Sequence, residues 1–287
     1  MKTIILCGGH GMRLREETEY KPKPMVEIGG KPILWHIMKH YASYGFKEFI
    51  LALGYKGNYI RDYFINYYKY NSDFTVDLSD NGKIDVHNGA IEDDWKITLV
   101  ETGTGSMTGY RTKLAGKYVN EDRFMLTYGD AVSDVNLKSL IEFNKQQDTI
   151  GTVTGVYPPS RFGDLVVKDN QVTRFKQQLK DIEHQSPING GYFVFKKEFL
   201  DLIPDDPSID LEKTPMDALV EKNQLSVYRH DGYWHCMDTY RDYAHLNEMW
   251  KKEPLKSQCG CLKSIHRTPE CSRISSLKRK SVYSMRS

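Results

Sequence analysis

Four short stretches carry the residues that could do chemistry. Gly8-Gly9-His10-Gly11-Met12-Arg13-Leu14 follows the apolar run Thr3-Ile4-Ile5-Leu6-Cys7. Three glycines in four positions free the backbone to approach a ligand and turn its N–H groups inward, the kind of nest that holds phosphate. Two familiar phosphate loops do not fit. The dinucleotide fingerprint would start at Gly9 and need glycine where Leu14 stands, and no Gly-Lys-Ser/Thr triplet follows. By itself such a loop is equally a structural turn. Lys23 comes next, between Pro22 and Pro24, which restrict its backbone on both sides. With Arg13 it would bring two cations to the loop, the charge a triphosphate and its leaving pyrophosphate need. Tyr128-Gly129-Asp130 ends a second apolar run, and Met237-Asp238-Thr239 precedes the last helical pattern. A carboxylate at each place suits Mg²⁺, which keeps most of its waters and takes one or two carboxylates plus phosphates. The plainer alternatives are a solvated basic loop at Lys23 and an N-cap at Asp238 or Thr239.

These stretches need elements to hold them. Residues 3–7 and Phe49 to Leu53 read as buried strands, the second stopped by Gly54. Between them, Ile33, Leu34, Ile37, Met38 and Tyr41 recur at helical spacing over 31–44, closed by Gly45. Tyr59 to Tyr70 and Thr112 to Val119 read as helices, with strands at Ile97 to Glu101 and Phe124 to Tyr128. A helix over Leu137 to Gln147 and a strand over Ile150 to Val156 continue the alternation. Asp164 to Lys168 and Val172 to Lys176 flank a hairpin signal, and Tyr192 to Phe195 is a strand. Thr214-Pro215 reads as an N-cap with proline at N1, opening a helix to Lys222, and Tyr240 to Lys251 as the last helix. Alternating strands and helices imply parallel β-α-β units and an open α/β sheet.

Composition narrows the class. The 287 residues are 39% hydrophobic and 27% charged, which fits a folded globular chain. No apolar run reaches the roughly 18 residues of a bilayer span, and the N-terminus lacks the h-region of a signal peptide, so a cytoplasmic protein without membrane insertion is expected. The net charge of +2 hides an asymmetry: residues 251–287 carry 10 Lys/Arg against Glu253 and Glu270. The other 250 residues are mildly acidic, and no nucleic-acid footprint is expected. Residues 253–287 are read as a basic, disordered tail. Five cysteines, three of them (Cys259, Cys261 and Cys271) in that tail, match neither a disulfide framework nor a common zinc pattern. His36 and His40 lie four apart without the glutamate of a zincin, so a metal role is not expected. Tyr59, Tyr63, Phe64, Tyr67 and Tyr68 read as helix packing or a subunit interface rather than a base-stacking platform.

Taken together, Gly8 to Met25 and Gly30-Lys31-Pro32-Ile33 resemble the signature of the sugar-1-phosphate nucleotidylyltransferases. Val26 to Met38, Gly54-Tyr55-Lys56-Gly57, Ser106-Met107-Thr108-Gly109, Thr127 to Asp130, Asn189-Gly190-Gly191 and Met237-Asp238-Thr239 resemble, more specifically, the bacterial glucose-1-phosphate cytidylyltransferases. The resemblance covers about residues 1–252. It implies a Rossmann-like nucleotidyltransferase fold: a mixed, mostly parallel central sheet flanked by helices, with a small hairpin-containing sugar-binding part. The nucleotide half would span about 1–135 and the sugar half about 136–252. It further implies transfer of a cytidylyl group from CTP to α-D-glucose 1-phosphate with Mg²⁺, by in-line attack without an enzyme nucleophile. CDP-glucose for O-antigen deoxysugars and a homo-oligomer, hexamers being known, are part of the same expectation. By position, Leu6, Cys7, Gly8, Gly9, His10, Gly11, Met12 and Arg13 would hold the nucleotide, with Lys23, Ser106, Arg111 and Gly129. Arg13 and Lys23 would be the catalytic cations, Asp130 and Asp238 the metal ligands, and Asn189, Gly190 and Gln178 the sugar-phosphate side.

Some positions depart from the family pattern. Met12 stands where threonine is usual, Ala131 follows the metal aspartate in place of glycine, and Tyr110 replaces glycine. The family's Phe-x-Glu-Lys-Pro reads Phe175-Lys176-Gln177-Gln178-Leu179, so Gln178 occupies the place of a phosphate-binding lysine. Losing that charge-assisted bond removes roughly 1.5–3 kcal/mol. On a strand, Lys176 and Lys180 would share the face of Gln178. The acceptor is therefore either glucose 1-phosphate, with compensation, or another phosphorylated compound; a nucleotide-binding homologue without catalysis is the third reading.

Overall fold

The computed structural model describes residues 1–87, 94–158, 164–168, 171–176 and 186–252. β1 (Thr3–Leu6) leads through a 3-10 turn at Met12–Leu14 into the short helix α1 (Arg15–Thr18). A second 3-10 turn, Lys23–Met25, precedes the small hairpin β2 (Glu27–Ile28) and β3 (Lys31–Pro32), then α2 (Ile33–Ser43) and β4 (Glu48–Leu53). Next come α3 (Gly57–Ile65), α4 (Tyr67–Asn71), the hairpin β5 (Phe74–Asp77) and β6 (Lys83–Val86), and β7 (Lys96–Glu101). They are followed by α5 (Thr108–Gly116), β8 (Arg123–Tyr128), β9 (Ala131–Ser133), α6 (Leu137–Gln147) and β10 (Gly151–Val156). β11 (Asp164–Lys168) and β12 (Gln171–Lys176) form the expected antiparallel hairpin. β13 (Ile188–Lys196), α7 (Thr214–Glu221), β14 (Leu225–His230), β15 (Trp234–Cys236) and α8 (Tyr240–Lys251) complete the described chain.

Seven strands make one sheet, in the order β14-β10-β13-β8-β1-β4-β7. β1 pairs in parallel with β4 and β8, β4 with β7, and β10 with β14. β13 runs against both its neighbours, β8 and β10. This is the mixed, mostly parallel sheet that the family resemblance implied. Chain order reverses around β1: β4 and β7 lie to one side, β8 to the other. In open α/β sheets the crevice beyond the carboxyl end of such a strand collects ligands.

The interior strands β1 and β4 are apolar along almost their whole length because both sheet faces are covered there. Successive side chains alternate: Ile5 and Cys7 pack with Ile33, Leu34, Ile37, Met38 and Tyr41 of α2 on one face. Ile4 and Leu6 pack with Phe193, Phe195 and Phe199 on the other. Burying each such large side chain favours the fold by roughly 1.5–3 kcal/mol. His36 and His40 are buried too, and each donates a ring N–H to a backbone carbonyl, Ile28 at 2.8 Å and Val135 at 3.0 Å. Their four-residue spacing is therefore a packing feature. Tyr63, Phe64 and Tyr67 pack together and against Trp35, as helix packing requires, whereas Tyr59 and Tyr68 are exposed.

Several expected boundaries move. The helix read over Tyr59 to Tyr70 is two helices broken at Asn66, whose side-chain amide donates to the Asp62 carbonyl and ends the first. The helix expected at Thr112 to Val119 begins four residues earlier, at Thr108. There the backbone N–H of Met107 donates to Pro207, and those of Gly109 and Tyr110 to Ile209, fixing the first turn from outside. Thr214 is not an N-cap: it is the first helical residue of α7, with Lys213 before it and Pro215 second. The strand expected at Tyr192 to Phe195 runs from Ile188 to Lys196. No described helix is long and apolar enough to cross a membrane. The basic segment 253–287 and Gln178 lie outside the described residues.

Burial pulls the His40 imidazole down to about 4, although its bond to Val135 and nearby Asp134 favour the charged form. Its Nδ1 has no partner among the described residues. The unfolded chain takes up the proton that the fold refuses, so stability is complete above about pH 6.5 and falls as the pH drops towards 4. The loss is about 3 kcal/mol. Urea unfolding at pH 7 and pH 4.5 should show a steep loss in the wild type and a shallower one in His40→Gln. Parallel losses in the two proteins would remove His40 as the cause.

Candidate functional site

A cavity of about 500 Å³ opens at the carboxyl edge of the sheet. It is lined by residues 6–13, 23–24, 104–108, 111 and 128–130. All the residues expected to meet a nucleotide are therefore in its wall: the loop from Leu6 to Arg13, Lys23, Ser106, Arg111 and Gly129. Most of these segments follow β1, β7 and β8, whose carboxyl ends lie along one edge of the sheet, with β4 between β1 and β7.

The three glycines of the loop do three different things. Gly11 takes φ +63°, and a Cβ there would press on Thr18 and Lys23 at 3.0–3.1 Å. Gly9 has nothing within 4 Å of a Cβ position and faces open space. Gly8 is different: a Cβ would sit 2.2 Å from Nη1 of Arg111. The glycine there makes room for a guanidinium, not for a ligand. Arg111 is 4% exposed, and its terminal nitrogens donate to protein oxygens: Nη1 to the Leu53 carbonyl (3.0 Å) and Thr102 Oγ1 (2.6 Å), and Nη2 to the carbonyls of Gly8 (3.1 Å) and Thr104 (3.3 Å). Burial pulls its pKa below the usual arginine value, with Glu101 opposing.

Lys23 is no solvated loop lysine. The 3-10 turn Lys23–Met25 is buried, and its Nζ donates to Asp130 Oδ2 at 2.6 Å and Asp238 Oδ1 at 2.7 Å. Arg13 adds a contact to Asp238 at 3.2 Å from an exposed side chain. Burial alone would lower the Lys23 pKa, but the carboxylates, Asp130 foremost, push it up to about 12. Burial would raise Asp238, yet Lys23 and Arg13 hold it below the usual carboxylate range. Asp238 is free for this because Thr239 caps α8, in a reciprocal box with Asp242.

Cys236 joins the same cluster, with ligand atoms of Asp130, Cys236 and Asp238 within 4.8 Å of one another. Nothing in the sequence marked it. Burial, followed by Asp130, pushes its thiol well above the usual range, so it stays protonated. Two carboxylates that already clasp an ammonium are a donor set suited to a hard divalent cation.

Asn189 and Gly190 sit beside the cavity, outside its lining. Asn189 donates to Glu212 Oε1 at 2.7 Å and accepts from the Gly191 N–H at 2.8 Å. Tyr128, in the cavity wall, donates to the same Glu212 oxygen at 2.8 Å. The Gly190 carbonyl accepts from the Trp234 indole at 2.7 Å. Glu212 and Trp234 belong to no motif, and sequence reasoning passed over them.

Replacing Lys23 by methionine leaves two half-buried carboxylates facing each other. Lys23→Met should therefore lose at least about 2 kcal/mol in EDTA at pH 7. Millimolar MgCl₂ should return part of that loss. Calorimetric Tm values with and without MgCl₂ check this; a Tm drop that Mg²⁺ leaves untouched would contradict it.

Residues 2–253 match the nucleotidyl transferase family. The chain is 46% identical over 253 residues to the glucose-1-phosphate cytidylyltransferase of Salmonella typhimurium, covering 88% of this chain and 96% of that one. It is 42% identical over 253 residues to a probable glucose-1-phosphate cytidylyltransferase of Bacillus subtilis, covering 88% and 97%. Among solved structures, HddC of Yersinia pseudotuberculosis superposes with a TM-score of 0.62 at 25% identity, over 87% of this chain and 99% of that one. The chain thus belongs to the nucleotidyl transferase family, on the branch that includes the glucose-1-phosphate cytidylyltransferases.

Proposed function

We propose that the protein transfers a cytidylyl group from CTP to α-D-glucose 1-phosphate, giving CDP-glucose and pyrophosphate, with Mg²⁺ as cofactor. The observation that carries this reading is the Lys23 ammonium clasped by Asp130 and Asp238 at the rim of a glycine-lined cavity. The cytidylyltransferases matched over most of the chain supply the base and the acceptor.

In this reading the glycine loop and the backbone around Ser106 take the nucleotide, with Gly129 beside them. A phosphate oxygen of the sugar phosphate attacks the α-phosphorus of CTP. The bond from that phosphorus to the bridging oxygen breaks, and pyrophosphate leaves. Asp130 and Asp238 would hold the Mg²⁺, which when bound offsets charge on the α-phosphate and the leaving group. Arg13 and Lys23 border the same cavity and neutralise the phosphates from the protein side. Burial disfavours the thiolate at both Cys7 and Cys236, which suits a transfer without an enzyme nucleophile. Catalysis is then positioning and charge compensation. Asn189, Gly190 and the Tyr128–Glu212 pair lie where the sugar would leave the nucleotide pocket. The nucleotide half is about 1–135 and the sugar half about 136–252, with 253–287 a dispensable basic tail. A cytoplasmic homo-oligomer supplying surface-polysaccharide deoxysugars fits the same family reading.

One observation favours a second acceptor. Gln178 stands where the family carries a phosphate-binding lysine. A different phosphorylated acceptor would set its phosphate against other residues than position 178.

Pyrophosphate release from CTP, Mg²⁺ and glucose 1-phosphate tests the proposal. Wild-type protein should turn over, and Asp130→Ala should lose at least about 100-fold. Near-normal turnover in Asp130→Ala would remove that residue from the metal site. A silent wild type together with an active Gln178→Lys would move the assignment to another acceptor or to a nucleotide-binding homologue without catalysis.

A further inference from the structure

Cys236 is the member of the Lys23 cluster that the proposed reaction does not use. Mg²⁺ takes oxygen ligands and leaves sulfur aside. Yet ligand atoms of Asp130, Cys236 and Asp238 lie within 4.8 Å of one another. Among the described residues no other trio of histidine, cysteine or acidic ligands gathers so closely.

Backbone bonds hold the three in place. β9 and β15 pair antiparallel, with Cys236 opposite Ala131, the residue after Asp130. The Met237 N–H donates to the Asp130 carbonyl at 2.9 Å. The Asp238 N–H donates to Asp242 Oδ2 at 3.2 Å, beside the capping box of α8. The thiol itself donates to the Asp238 carboxylate. A cation already stands among these groups, the Lys23 ammonium on Asp130 and Asp238. Asp130 also lines the cavity, which gives an ion a way in.

Two carboxylates and a cysteine make a mixed oxygen–sulfur set, which favours a borderline ion such as Zn²⁺ over Mg²⁺. Around Zn²⁺, with bonds of about 2.0–2.3 Å, tetrahedral ligand atoms stand about 3.5 Å apart, and side-chain movements of about 1 Å close the present spacing onto that. Three protein ligands leave the fourth position to water. As the sulfur–metal bond forms, the S–H proton is released to solvent.

We propose that Asp130, Cys236 and Asp238 form a binding site for a thiophilic divalent cation of the Zn²⁺ class, which displaces the Lys23 ammonium and blocks transfer. The binding stands on the cluster alone. The blocking rests on the reading that Asp130 and Asp238 serve the Mg²⁺ of the transfer.

The test uses the full chain with Cys259, Cys261 and Cys271 replaced by serine, so that Cys7 and Cys236 are its remaining thiols. Cd²⁺ is the probe, because a thiolate–cadmium bond gives an ultraviolet charge-transfer band. Titrating Cd²⁺ without nucleotide or Mg²⁺ should raise that band. Adding Cys236→Ser should abolish it, and adding Asp238→Asn should weaken Cd²⁺ binding at least about tenfold. Calorimetry with Zn²⁺ should rank the proteins in the same order. Cys236→Ala, with no polar atom to bury, repeats the test should the serine variant fail to fold. Absence of the band before Cys236 is changed, a band that survives the change, or unchanged affinity in Asp238→Asn would each overturn the site. In pyrophosphate release at millimolar Mg²⁺, buffered micromolar Zn²⁺ should slow the background protein at least about fivefold and leave Cys236→Ser within about twofold of its own zinc-free rate. Equal slowing of the two would overturn the blocking. No turnover without zinc, with the cadmium band present, would sink the transfer reading, and the blocking with it, and leave the site standing.

Discussion

The site depends on one ammonium group. Lys23 Nζ joins Asp130, 107 residues away, to Asp238, 215 residues away, at 2.6 and 2.7 Å. Three segments meet there: the loop after the glycine turn, the end of β8 and the approach to α8. Unpaired, two carboxylates this close would repel, and an isolated buried lysine would tend to lose its proton. Paired, Lys23 and Asp238 each favour the other's charged form. The arrangement is close to neutral, with Arg13 and Lys23 set against Asp130 and Asp238. A site balanced in this way has most to gain from a ligand that brings both signs, a polyphosphate together with a divalent cation.

The sheet makes that meeting possible. Parallel pairing aligns the ends of β1, β4, β7 and β8 along one edge, and the apolar packing of both faces fixes their register. The edge itself is polar backbone, and its carbonyls would be costly to leave unpaired. Arg111 meets that need on one side of β1, and Lys23 draws the loops together on the other. Cations so deeply placed are tolerated only because their donors are used. The two residues divide the work: one orders backbone, the other holds charge within reach of the cavity.

Much of this was legible in the sequence, and what was not has a common cause. Interior strands such as β1 and β8 are continuous apolar runs because both faces are buried, and such runs stand out. Asp130 and Asp238 could be read as paired carboxylates because each sits next to an element boundary. The short pairings β2–β3 and β9–β15 have two or three residues each, too few for a periodicity to register. The start of α5 is set by carbonyls of Pro207 and Ile209. Arg111 is read from the family pattern as a nucleotide contact, and nothing local hints that it also donates to three carbonyls and a threonine hydroxyl at the ends of three strands. Cys236 and Glu212 were missed for the same reason: their importance comes from neighbours distant in sequence.

The central claim is that the residues of this site position and neutralise while the sugar phosphate attacks CTP directly. The stereochemical course at the α-phosphorus tests it most directly, using one diastereomer of CTP carrying sulfur on that phosphorus, with Mg²⁺ and glucose 1-phosphate. A single in-line displacement predicts inversion of configuration in the CDP-glucose product. Retention would require two displacements and a nucleotidylated protein residue, and would contradict the account.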